Sequence, residues 1–421
     1  MHLPEQRLKN LLSIKVRGMK EMPLGWIDFS KNERNKVLSV LNLLTEAGTL
    51  DELGIAPIRD GFANLFFPGT STIQTRAKYF MIVPYALKDL ELASETNPNR
   101  LLRAFDEVER NCAEILLRNG EDTDGIIGSR SLTQNKWVKR TPADIYWAGL
   151  RSYDVFTGGN MSLSEYIRAM CALKNQKATL VRLGNRNDSA ETDEGDDKDA
   201  GELFKMQFWR IPTYEQDWRD RLSIKLTEEE GSFLKGQIIA AFPNSMMAYI
   251  LRNGLVDVLK SKTFQETKSL ISLFPEHIQQ DYALAYSFSE FLFVLRTVYN
   301  VIVSDGRNDE ANTIWEAQKD ELAILAEVDL EGIFSRLNVF GNVFLCNFLR
   351  RSQDLMKRGD LEGLKVEIKR RERELKQTRA KTMHPGEFDP NAWFGGGQLD
   401  YRFGNAKVIL NDIFESEGQH A

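Results

Sequence analysis

Apolar residues recur along most of this chain at three- and four-residue spacing, and many of the runs begin with a helix-start signature. Ser30-Lys31-Asn32-Glu33 is a capping box ahead of Val37, Leu38, Val40, Leu41 and Leu44, which share one helical face. Pro57 suits the first turn of a second helix, with Ile58, Phe62, Leu65 and Phe66 in register. The turn at Pro68-Gly69-Thr70 closes it. A longer helix is expected through "IQTRAKYFMIV", kinked or ended by Pro84. Residues 101–118 repeat the pattern, and Thr141-Pro142-Ala143-Asp144 joins a hydroxyl cap to a first-position proline and an acid. Ser162-Leu163-Ser164-Glu165 caps a helix through Lys174.

Two segments alternate instead. "ATLVRL" (178–183) and "LFKMQFWRI" (203–211) are predicted strands of a small β-hairpin, with Phe204, Met206 and Phe208 alternating with Lys205, Gln207 and Trp209. From the capping box Thr227–Glu230 onward the chain is helix after helix, over 228–241, 245–260, 276–304, 309–327, 330–357 and 360–381. The fold class is therefore mainly α, a multi-helical two-domain protein. An N-terminal helical domain spans 1–212 and a C-terminal helical domain 213–421, with the boundary near 212–226. Within the first, residues 101–211 follow the order of a winged helix, with 163–174 as the helix for a DNA groove. Glu165 on that helix, with only Arg168 and Lys174 as cations, and an acidic hairpin tip both argue against it.

Charge changes the picture at one place. Residues 187–202, "NDSAETDEGDDKDAGE", carry a net −7, so the chain's −6 becomes +1 once they are set aside. Their composition is that of a disordered insertion, without the spacing of a calcium loop. Hydrophobic residues make up 42% and charged residues 28%, the balance of a soluble protein, and Cys112, Cys171 and Cys346 form no CxxC pair. A reducing cytoplasm fits this cysteine usage better than a disulfide framework or zinc site. The most apolar stretch, 283–303, holds Glu290 and Arg296 and a stripe of Ser289, Arg296 and Asn300, which marks a buried core helix rather than a membrane span. The first twenty residues lack the apolar segment of a secretory signal.

Catalytic templates are missing. The four histidines (His2, His277, His384, His420) belong to no HExxH or HxE motif, and neither GxSxG nor a Walker A lysine occurs. "LFFPGTSTIQTRAKYF" (65–80) has one glycine and no lysine before Thr70, so a turn and a Ser71/Gln74 capping box account for it. Arg76 and Lys78 beside that helix start are candidate anion contacts. The denser candidate is 129–151, where Arg130, Lys136, Lys139, Arg140 and Arg151 surround Trp137 and Asp144 is the lone acid. Such a loop suits phosphate neutralisation with base stacking; the competing view is a solvated loop whose indole plugs the core. Residues 365–381 are strongly basic, but their acids at three- and four-residue spacing make a self-paired helix. Asp28, Asp60 and Glu290 are scattered carboxylates that no spacing links into a metal site. No cofactor or metal is expected.

Four segments, "LGWIDFSKNERNKVLSVL", "DELGIAPIRDGFANLFFPGTSTIQTRAKYFMIVPY", "DGIIGSR…TPADIYWAGLR" and "LDYRFGNAKVILNDIF", together resemble a bacterial family known as domain of unknown function 6361. The most specific piece is Pro68–Ser71 followed by Gln74–Ala77 and Tyr79. The resemblance spans Trp26 to Phe414 and implies a context of antiphage defence islands, beside helicases and phospholipase D-like nucleases. It implies no catalytic residue. The expected function is a non-catalytic, cytoplasmic accessory subunit of a defence system, touching DNA or a helicase or nuclease partner. The candidate contacts are Arg76, Lys78, Arg130, Lys136, Trp137, Lys139 and Arg140. The alternatives are a metal-dependent enzyme acting on nucleic acid or nucleotide, and a pure protein–protein scaffold.

Overall fold

The computed structural model describes residues 51–120, 122–184 and 208–418, and these are built almost wholly from helices. Six come first: α1 (Ala56–Phe66), α2 (Tyr79–Leu92), α3 (Pro98–Asn119), α4 (Ser129–Leu132), α5 (Pro142–Ser152) and α6 (Leu163–Gly184). Then follow α7 (Glu228–Ala241), α8 (Met246–Asn253), α9 (Glu276–Val303), α10 (Asp309–Gln318) and α11 (Leu322–Leu325). The last four are α12 (Leu330–Leu337), α13 (Val343–Lys357), α14 (Leu361–Lys376) and α15 (Phe403–Ser416). The described residues pack as one unit, in which α7 lies on α8 and α15 while α1 lies on α12. The expected boundary at 212–226 falls inside that unit.

Local sequence accounts for the best-defined starts. Thr141 and Thr227 each accept from the backbone N–H three residues on, and Asp144 and Glu230 return the contact to the cap's own N–H. Both helices thus have orphan donors satisfied at their first turn. Helix α9 is the spine: seventeen of its 28 residues are buried. Its polar stripe is not wasted there. Ser289 accepts the Leu399 N–H at 2.8 Å, Asn300 exchanges hydrogen bonds with the Phe394 backbone at 2.7 and 2.9 Å, and Arg296 donates to the Gly397 carbonyl. The stripe seats the glycine-rich loop 393–399 on the core. No helix among the described residues is long and apolar enough to cross a membrane.

Several expectations need correction. Residues 71–78 are not helical; α2 starts at Tyr79 and continues past Pro84 to Leu92. Residues 178–183 are the end of α6 rather than a strand. No helix breaker lies between Leu163 and Gly184, and adding turns to an existing helix is easier than starting a strand. The one β-bridge among the described residues joins Phe156 to Trp209, so no hairpin or wing is present there. The expected helix over 330–357 breaks at Asn338, which adopts a left-handed conformation at φ 53°. The capping box at Ser30–Glu33, the acidic segment 187–202 and the strand residues 203–207 lie outside the described residues.

Candidate nucleic-acid interface

The segment that joins α1 to α2 is held by side chains from far along the chain. Gly69 has φ +77°, and a Cβ there would lie 2.5 Å from the Tyr153 ring, so only glycine fits. The Tyr153 hydroxyl donates to the Pro68 carbonyl at 2.7 Å. Gln74 accepts the Ser71 N–H at 3.2 Å, which is half of the expected capping box, while the Ser71 hydroxyl is buried without a partner among the described residues. The Tyr146 hydroxyl replaces the missing helical bonds. It accepts from the Thr75 and Arg76 N–H groups at 2.8 and 3.0 Å and donates to the Arg76 carbonyl at 2.8 Å.

Released from helical geometry, Arg76 and Lys78 both turn inward, and neither is placed to meet a phosphate. Arg76 Nε donates to Asp412 Oδ1 at 3.0 Å, Nη2 lies 2.9 Å from the same oxygen, and Nη1 reaches Asp122 at 2.6 Å. Burial pulls this guanidinium's pKa down, but the hydrogen bonds and charges of Asp412 and Asp122 outweigh it and hold it above the ordinary value. Lys78 Nζ sits 2.8 and 2.5 Å from the two oxygens of Glu230. That carboxylate also accepts the Thr227 N–H at 2.8 Å, so the capping residue of α7 doubles as the partner of Lys78. Both cations are buried, at 8% and 6% exposure. The sequence offered no cue to this, because Asp412 and Glu230 lie 336 and 152 residues away.

The other five candidates lie on α4 and the chain between it and α5. Helix α4 and the following turn, left-handed at Asn135, form a ridge on α3, to which Arg110 is tied through a 3.2 Å bond to Asn135. Arg130, Lys136 and Lys139 are exposed and Arg140 is half-buried; none forms an ion pair among the described residues. Asp144, the nearby acid in sequence, is occupied in the Thr141 capping box. Trp137 is half-buried and packs on Gly128, where a Cβ would come within 2.7 Å of the ring. Its indole N–H is buried without a partner among the described residues. The ridge therefore offers four cations, while the Trp137 indole packs against the core with part of its surface left exposed.

The scattered carboxylates are not brought together. Asp60 is bound by Arg59 at 3.0 Å and by Arg402 at 3.4 Å, and Glu290 accepts from Gln398 at 2.6 Å. Asp28 lies outside the described residues. No group of three or more His, Cys, Asp or Glu among the described residues is arranged to hold a metal ion. His277 is exposed, with Nε2 3.1 Å from the Asn244 carbonyl. The basic helix α14 is paired in part: Lys365 with Glu362, Arg370 with Glu367 and Glu374, Lys376 with Glu372, while Lys369 and Arg373 are exposed and enter no ion pair among the described residues.

The chain belongs to DUF6361, a family of unknown function, which it matches over residues 22–343. That span holds both the segment at Pro68–Tyr79 and the ridge, and it stops short of the expected C-terminal piece at 399–414. No curated protein and no solved structure matches the chain.

Proposed function

We propose that this protein is a non-catalytic accessory subunit of a bacterial antiphage defence system, which contacts DNA through Arg130, Lys136, Lys139 and Arg140 beside Trp137. A helicase or a phospholipase D-like nuclease of the same system acts on the DNA it holds. The family resemblance supports the defence context. The observation that carries the DNA contact is the ridge itself: four cations between residues 130 and 140 beside a tryptophan, none of them in an ion pair among the described residues. Unpaired cations neutralise phosphates at no cost in broken salt bridges.

The ridge is a short helix and a turn, with no long helix free to lie in a groove. Its contacts are with the backbone and with a stacked base, so binding is insensitive to sequence. Fluorescence polarisation with labelled DNA tests this. Wild type binds at low salt, and the triple reversal Lys136→Glu, Lys139→Glu and Arg140→Glu abolishes binding while the melting temperature holds. Equal binding by the two proteins rejects the ridge, and retention of defence by the reversal variant favours the scaffold alternative.

A further inference from the structure

Away from the ridge, a cleft of about 770 Å³ opens between α2, the segment 213–222 and the start of α7. One wall is aromatic. Tyr85 and Tyr214 stack with centroids 4.4 Å apart, and Trp218 meets Tyr85 edge-on at 5.5 Å. The wall is fixed in place, because the Tyr214 hydroxyl and the Trp218 indole N–H both donate to Asp89, at 3.1 and 3.0 Å. Tyr214 is half-buried and gives part of its ring to the cleft. The floor is the Lys78–Glu230 pair, and the rim carries Glu228, Glu229, Glu215 and Arg221.

Charge decides what such a cleft takes. Four carboxylates (Glu215, Glu228, Glu229, Glu230) face two cations (Lys78, Arg221), a lining of net −2. Neither cation is available to an anion. Glu230 holds Lys78, and Arg221 is clamped by Glu215 and by Asp217 at 3.0 Å. Glu228 and Glu229 are exposed and enter no ion pair among the described residues. Acids in a first helical turn complement the helix dipole, which accounts for their place on α7 but not for the aromatic wall beside them. A carboxylate pair next to an aromatic ring favours a cation with an apolar stem.

We infer that this cleft docks a basic segment of a partner protein, with an arginine or lysine side chain laid along Tyr214 and its charged head at Glu228 and Glu229. Arginine suits it best, since a planar guanidinium both stacks on a ring and meets carboxylates. The inference does not depend on the DNA ridge, which lies on α3–α5 and shares no residue with the cleft.

The experiment uses the full chain and a fluorescein-labelled hexa-arginine peptide, read by polarisation, with hexaglutamate as the reference peptide. Glu228→Gln with Glu229→Gln weakens binding about tenfold, the change expected from losing a well-placed charge contact. Tyr214→Leu keeps the bulk of the wall and also weakens it. The control Glu107→Gln with Glu310→Gln removes two exposed acids elsewhere and leaves binding unchanged. Thermal melts confirm that each variant is folded, and DNA binding by the ridge is unaffected in all of them. If the control weakens binding as much as the cleft pair, the attraction is general acidity and the inference falls. It falls equally if neither cleft variant changes the affinity.

Discussion

Arg76 and Asp412 are 336 residues apart in sequence, and they meet in a buried pair in which one guanidinium donates to both carboxylate oxygens at 3.0 and 3.1 Å. Asp412 also accepts the Ala77 N–H at 2.7 Å, and Asn405 Nδ2 donates to the Gln74 carbonyl at 2.7 Å, so α15 is fastened to the segment before α2 at two points. Removing one member leaves the other charged and buried. Arg76→Met is expected to cost about 3–5 kcal/mol of stability. Arg76→Met combined with Asp412→Asn is expected to cost clearly less than the sum of the single changes. Urea unfolding of the four proteins in the cycle measures this, and strict additivity would contradict the coupling.

Tyr146 also fastens that segment, and its test is narrower. Tyr146→Phe keeps the ring, which packs edge-on against Phe80 at 4.9 Å, and deletes only the hydroxyl. The Thr75 and Arg76 N–H groups and the Arg76 carbonyl then lose a partner in a buried setting. The expected loss is about 2–3 kcal/mol, with faster amide hydrogen exchange confined to residues 71–78. Exchange that rises uniformly across the chain would show that the hydroxyl has no local role.

How much of this was legible beforehand depends on the reach of each interaction. The capping boxes at Thr141 and Thr227 were legible because all their atoms lie within four residues, and the start of α9 at Glu276 followed from its apolar run. The break at Asn338 and the helical state of 178–183 were not, since short apolar runs fit either period. Arg76 and Lys78 failed as surface contacts because burial is set by where Asp412 and Glu230 arrive in space, which local pattern does not encode. Arg130, Lys136 and Lys139 were legible as exposed charges because no compensating acid is near them in sequence.

Glu109 makes stability depend on pH. Burial pushes its carboxyl from the ordinary 4.5 up to about 8, although it accepts the Ala143 N–H at 2.7 Å. A raised carboxyl pKa means that the folded state keeps a proton which the unfolded state has lost. The contribution is full below about pH 4.5, declines as pH rises and is gone above about pH 8. Glu109→Gln keeps an oxygen for Ala143 and removes the titration. Its advantage over wild type is small at pH 5 and grows to about 4 kcal/mol at most by pH 8. Denaturant midpoints across that range decide it, and parallel curves for the two proteins would refute a buried, titrating Glu109.

Trp137 separates stacking from charge on the ridge. Each phosphate neutralised adds about −0.9 to the slope of log affinity against log salt, so four contacts give about −3.6 in duplex DNA. Trp137→Leu removes the ring but no charge. It should lower affinity for single-stranded DNA by about 1–3 kcal/mol and leave that slope unchanged. Gly128→Ala reaches the same ring from below, because a Cβ there comes within 2.7 Å of it and the backbone sits at φ +88°. It should shift the indole emission and weaken single-strand binding, again at constant slope. The triple reversal at Lys136, Lys139 and Arg140 does the opposite, flattening the slope as phosphate contacts are lost. Salt titrations of the four proteins tell the two contributions apart. A slope that changes with Trp137→Leu would mean that the ring only props up the cations, and that no base stacks on it.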